Sequence, residues 1–126
     1  MISYKNRPII EGQRVFVYYN LHKHLFSVKS LEGETKGKII AHTKEIMLEN
    51  CIFQVNEKNR LRVIKTCQKN VHAGIVGNLS LKLKKKTKKQ EITYNPYLYA
   101  SFVDKYTKIP IYKAKAAYLT NKKIFI

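Results

Sequence analysis

RVFVYYN (residues 14–20) and, after a four-residue gap, LFSVKSL (residues 25–31) decide the class of fold. Both runs are crowded with β-branched and aromatic side chains, which fit the pleated, half-buried surface of a sheet. Glu11-Gly12 reads as a turn before the first run. Asn20-Leu21-His22-Lys23-His24 reads as a polar hairpin or bulge between the two. Outward from this pair, residues 32–37 (EGETKG) hold two glycines and read as a loop. Residues 38–48 read as one strand and residues 51–55 (CIFQV) as another.

The pattern changes at Asn56, which is placed to cap a helix, with Glu57 in the first turn where the helix dipole favours an anion. Leu61, Ile64 and Gln68, with Val63 and Cys67 beside them, form a stripe at helical spacing, so one main α-helix is expected over about residues 57–68. Residues 71–83 return to strand character, and Gly74 and Gly77 within them point to a bulge or a close backbone approach. Further strands are expected at residues 92–103, around an Asn95-Pro96 turn, at 111–119, and at 124–126 after an Asn121-Lys122 turn. In residues 111–119, Tyr112, Ala114, Ala116 and Tyr118 alternate against Ile111, Lys113 and Lys115. The expected fold class is α+β: a mostly antiparallel β-sheet with one main α-helix, in a single domain spanning residues 1–126.

Charge is the strongest compositional signal. Twenty-five Lys and Arg against eight Asp and Glu give +17. Six of the lysines lie in residues 82–89 (KLKKKTKK), which read as a mobile loop; without them the chain still stands at +11. Such a field gathers anions over a Debye length of about 8–10 Å but does not identify them. Lysine excess also arises from a solvated surface in an AT-biased genome, whereas the four arginines, Arg7, Arg14, Arg60 and Arg62, offer a planar fork that lysine lacks. A hydrophobic fraction of 44% excludes disorder as the default. The start, MISYKNRPII, has no apolar leader segment and no apolar run approaches 18 residues, so a soluble cytoplasmic protein is expected. Cys51 and Cys67 make no disulfide framework and read as small core residues.

No catalytic machinery is legible. Ser27, Ser30, Ser80 and Ser101 sit in no nucleophile-elbow context, and the eight acids form no suggestive pair. Residues 73–77 (AGIVG) lack the third glycine and the following helix of a dinucleotide fingerprint. His22 and His24 could share a strand face, but nothing supplies further metal ligands at a recognised spacing, so they read as hairpin-edge residues. No cofactor is expected. Binding chemistry is richer. Tyr94 and Tyr97 flank the Asn95-Pro96 turn and are candidates for base stacking, with Asn95 for an edge hydrogen bond; Phe102 and some of the other aromatics belong to the buried face. Lys69, Asn70 and His72 bring a cation, an amide and an imidazole to the junction after the helix, where a plain helix C-cap reads equally well. Arg60 and Arg62 are candidates for phosphate or base contacts. Two residues apart on a helix, they diverge by about 200° and cannot form one clamp.

Tyr18 to Lys23 (YYNLHK), Phe26-Ser27-Val28, Ala41-His42, Arg60 to Val63 (RLRV), Lys69 to Gly74 (KNVHAG), Tyr94 to Tyr97 (YNPY) and Ser101-Phe102-Val103 resemble a family of small phage and prophage proteins over about residues 14–104. The pattern is similar to the phage anti-Thoeris sponges of the first type. That resemblance implies sequestration, without cleavage, of the glycocyclic ADP-ribose isomer made by TIR immune enzymes. It also implies, for some members, cyclic oligonucleotide binding, homo-oligomers (dimers or higher), and a location in the cytoplasm of an infected or lysogenic bacterium. No short motif of that family fixes the ligand residues. The rival reading from the residues themselves is a phage nucleic-acid-binding accessory protein using the lysine tract and the aromatics; a nucleotide-processing enzyme is the weakest. No membrane partner is expected.

Overall fold

The computed structural model describes residues 2–82 and 90–126. All of the lysine tract but Lys82 lies outside the described residues. The elements are β1 (Ile2–Ser3), β2 (Arg14–Asn20), β3 (Leu25–Ser30), β4 (Ile39–Thr43), β5 (Glu45–Val55), α1 (Glu57–Thr66), β6 (Ala73–Ser80), β7 (Glu91–Thr93), β8 (Val103–Asp104), β9 (Lys113–Thr120) and β10 (Lys123–Phe125). The strands form one sheet in the order β1-β4-β3-β2-β6-β5-β9-β10-β7-β8, with every pairing antiparallel.

The opening pair folds as its sequence requires. In β2, Val15 and Val17 are fully buried while Phe16 and Tyr18 stand half-buried on the other face. The β2–β3 connection closes because the Asn20 side-chain oxygen accepts from the backbone N–H of His22 (3.0 Å) and of Lys23 (3.1 Å). At the β9–β10 turn, Asn121 and Lys122 both take positive φ (48° and 70°), the geometry of a tight hairpin whose twist matches the flanking strands. Gly74 meets the close approach expected of it: a Cβ there would sit 2.5 Å from the Phe16 ring and 2.6 Å from the Val17 carbonyl oxygen.

Among the described residues, ten strands and one short helix leave the sheet to enclose its own core. Ile40 on β4 and Ile92 on β7 belong to one buried cluster with Val15, Phe26, Leu48, Phe53 and Leu119, although β4 and β7 stand near opposite ends of the strand order. The sheet therefore curls around a common interior, as strongly twisted sheets of this size do.

Several boundaries differ from the sequence reading. Residues 38–48 are not one strand: the chain breaks at Lys44, and residues 51–55 join residues 45–50 in the long β5. Asn50, in left-handed backbone (φ 51°), lies where the β5–β6 register shifts, so one strand passes through a bulge instead of ending. Of residues 71–82 only Ala73–Ser80 are strand (β6), residue 83 of the expected run lying outside the described residues. Residues 92–103 contribute only their ends, because Asn95 starts a turn with its carbonyl accepting from the N–H of Leu98 and Tyr99. The alternation in residues 111–119 gives way to three consecutive buried residues, Ala117, Tyr118 and Leu119, covered on both faces.

The helix runs over residues 57–66, two residues short of the expectation, because Cys67 turns left-handed (φ 56°) and its N–H caps the Val63 carbonyl. The apolar stripe that signals the helix is largely uncovered. Only Val63 is buried; Leu61 is 53% exposed and Ile64 38%. A core enclosed by strands needs no helical lid, and α1 buries a single side chain, Val63. Cys51 is buried as expected, whereas Cys67 is exposed on the cap.

Candidate functional site

β5 runs directly into α1. Asn56 stands at the joint, with its side-chain oxygen accepting from Asn59 N–H (3.1 Å) and its own N–H donating to the His72 carbonyl (2.7 Å). A groove of ≈ 640 Å³ opens at this joint. Its lining takes Phe16 from β2, Phe53, Gln54 and Val55 from the end of β5, and Asn56 and Asn59 from the start of the helix. Val71, His72, Ala100, Ser101 and Tyr112 complete it.

His72 is held from both ring nitrogens. Nδ1 lies 3.0 Å from the Asn70 side-chain oxygen and 3.2 Å from the Asn70 carbonyl, both of which only accept, so Nδ1 carries the proton. In the neutral ring Nε2 then accepts from the Tyr94 hydroxyl at 2.7 Å. The Tyr94 ring stacks on Phe102 with centroids 5.1 Å apart. Burial pushes the Tyr94 phenol up to about 12; the Arg60 guanidinium pulls it the other way and the Glu57 carboxylate adds to the rise. Arg60 donates through Nε to the Pro96 carbonyl (3.0 Å) and through a terminal nitrogen to Glu57 (2.7 Å). Asn70 donates to the Asn59 carbonyl (3.3 Å), tying the segment after the helix back to its first turn.

A family model described as the Mycobacterium phage L5 gene 82 protein matches residues 9–126. The gene 82 protein of Mycobacterium phage L5 is 37% identical over 117 residues, which cover 88% of this chain and 93% of that protein. The chain belongs to the Mycobacterium phage L5 gene 82 protein family. No solved structure matches it.

In this gene 82 family member, Asn70, His72 and Tyr94 join in one hydrogen-bonded chain although up to 24 residues separate them, and Arg60 is tied to the turn after Tyr94 through the Pro96 carbonyl. Of these, His72 lines the groove. Tyr94 is half-buried, less so than Phe102, with its ring packed and its hydroxyl engaged; Tyr97, 56% exposed, is open. Asn95 spends its side-chain oxygen on the N–H of Tyr97 (2.9 Å), which shapes the turn. Arg62 and Lys69 are exposed and away from the groove lining. The two arginines do diverge, Arg60 half-buried and Arg62 on the outside. His22 and His24 lie exposed in the hairpin turn, and the described residues hold no cluster of three metal-ligating side chains.

The groove also uses residues that sequence reasoning passed over: Phe16, Gln54, Asn59 and Tyr112. Asn56 was legible only as a helix cap and Ser101 only as a serine without catalytic context. The available signals were the Asn56/Asn59 pair one helical turn apart and an aromatic residue on a strand facing a glycine. Among the described residues the lining holds neither a carboxylate nor a Lys or Arg. Three aromatic rings, three amides, two hydroxyls and an imidazole can pack a planar ring and hydrogen-bond its edge. They cannot by themselves neutralise a phosphate.

Proposed function

We propose that this protein captures a nucleotide in the groove at the β5–α1 joint and holds it unconverted. The ligand is of the cyclic nucleotide immune-signal class, a glycocyclic ADP-ribose isomer or a cyclic oligonucleotide, so that capture lets a phage evade TIR-based Thoeris defence. The observation carrying this reading is the groove lining: Phe16 and Tyr112 as ring-packing surfaces, with Asn56, Asn59, Gln54 and His72 as edge partners. A volume of ≈ 640 Å³ lies within the range of small-molecule sites. Phosphates are served from outside the lining, by the +17 field and by the partial positive charge at the start of α1. Membership in a phage gene family and the resemblance to phage sponges support the reading. Assembly as a homo-oligomer belongs to it, because Tyr112 stays 61% exposed on the groove wall, where a second copy could add a further side.

A thermal-shift screen against cyclic ADP-ribose isomers, cyclic dinucleotides and cyclic trinucleotides tests the proposal. A ligand present at about 100 times its Kd stabilises the fold by about 2.7 kcal/mol, a readily measured rise in Tm. The bound compound should be recovered chemically unchanged after the complex is heated. Recovery of a cleaved product would make the protein an enzyme instead.

A further inference from the structure

Directly opposed residues of antiparallel strands share a face, so the sheet registers can be chained into rows. Lys29 lies opposite Phe16, Phe16 opposite Val76, Val76 opposite Ile52, and Ile52 opposite Lys113. This row crosses β3, β2, β6, β5 and β9, roughly 19 Å at about 4.8 Å per strand. A lysine stands at each end with apolar side chains between. It lies on the face away from the core, since Val15 and Val17 on either side of Phe16 are the buried ones. Phe16, Ile52 and Lys29 are half-open, Lys113 is exposed, and Val76 at the centre of the row is buried beneath its neighbours' side chains at 8% exposure.

Two neighbours extend the surface. Tyr18, two residues beyond Phe16 on the same face, has its ring centroid 6.1 Å from that of Phe16. Arg14, two residues before it, is held in place by donating to the Asn78 side-chain oxygen and the Asn50 carbonyl (2.9 Å). Gly74 on β6 leaves room for the Phe16 ring to lie against the sheet. Two acids lie at this end: Glu49, paired with Asn78, and Glu32, whose carboxylate accepts from the Arg14 N–H at 2.9 Å.

We infer that this sheet face binds single-stranded nucleic acid, with bases stacking on Phe16 and Tyr18 and the backbone running between Lys29 and Lys113. Aromatic rings on adjacent positions of an open sheet, bracketed by cations, suit unpaired bases, whose flat faces a duplex hides. The strongly positive chain supplies the charge complementarity. The inference shares Phe16 with the proposed groove but does not rest on cyclic nucleotide capture, and it places a nucleic-acid contact on the sheet instead of on the lysine tract.

Fluorescence anisotropy with labelled dT12 and a 12-base-pair duplex, across a salt series, tests it. The native protein should bind dT12 more tightly than the duplex. Lys29→Glu/Lys113→Glu should weaken dT12 binding at least tenfold at fixed salt. Lys29→Gln/Lys113→Gln should lower the slope of log affinity against log salt by about 1.4, two contacts at about 0.7 each. Phe16→Leu, which keeps an apolar side chain over Gly74, should lose several-fold in affinity with the salt slope unchanged. Both glutamine replacements sit on the surface, so the glutamine pair serves if the glutamate pair fails to fold. Native affinity in the glutamine pair, preference for the duplex, or no dT12 binding at all would each overturn the inference. Cyclic nucleotide capture could persist under any of these results.

Discussion

At Tyr94 one side chain serves two ends of the site: its ring lies on Phe102 and its hydroxyl donates to His72. Tyr94→Phe keeps the stack and removes the donor. It should cost about 0.5–1.5 kcal/mol, read from the urea midpoint, and loosen His72 at the groove wall. The phenol has a further consequence at high pH. Because its pKa is raised from 10.0 to about 12, the protonated form is favoured by folding. That contribution is complete below pH 10 and is lost as pH climbs toward 12, so the alkaline fall in stability should shrink in Tyr94→Phe. His42 behaves in the opposite direction. Its Nδ1 lies 2.9 Å from the buried Ser27 hydroxyl, and burial, aided by the Lys23 charge, lowers its pKa below 6.5. The neutral ring is favoured, so stability should be retained above about pH 6.5 and fall below it. Circular dichroism melts of His42→Gln should show a flatter acid limb. Arg60, Asn70, His72 and Tyr94 were each visible as residue types able to bind. Their union was not, because local patterns do not show that Pro96 faces the helix or that residue 94 reaches residue 72.

Among the elements, α1 depends most on its ends. Ten residues fall below the length at which an isolated helix holds in water, and only Val63 is buried. Asn56→Ala should therefore cost about 1 kcal/mol in a denaturant titration, while Asn56→Asp, which can still cap, should cost little. Both replacements remove the Asn56 amide from the groove, so ligand affinity separates that role from capping. β6 offers a paired test of close packing. At Gly74 an added Cβ would meet the Val17 backbone at 2.6 Å, whereas at Gly77 the nearest atom, Leu48 Cβ, lies at 3.0 Å. Gly74→Ala should destabilise by about 1–3 kcal/mol and displace Phe16, with Gly77→Ala milder. The sequence shows these glycines, the hairpin at residues 20–24 and the cap at Asn56 because each depends on a few adjacent residues. Leu61 and Ile64 signalled a helix by their spacing, but periodicity reports an apolar stripe and not what covers it, and both stay exposed.

At the scale of the molecule, the all-antiparallel sheet follows from many short runs rich in β-branched and aromatic residues, and that much was legible. The curl was not, since Ile40 and Ile92 meet in one interior only through the order of ten strands. Enclosing the core within the sheet leaves the strand-to-helix joint free to carry a groove, with the helix start facing it. A chain at +17 repels itself, so added salt should raise its Tm even as it weakens capture of anions. The central claim is nucleotide capture at this joint, and titration calorimetry with cyclic ADP-ribose isomers and cyclic dinucleotides addresses it most directly. Saturable binding of at least one of them, weakened tenfold or more by Asn59→Ala and by His72→Ala in folded protein, is the expected result. No binding of any cyclic nucleotide, or equal affinity in both variants, would contradict it.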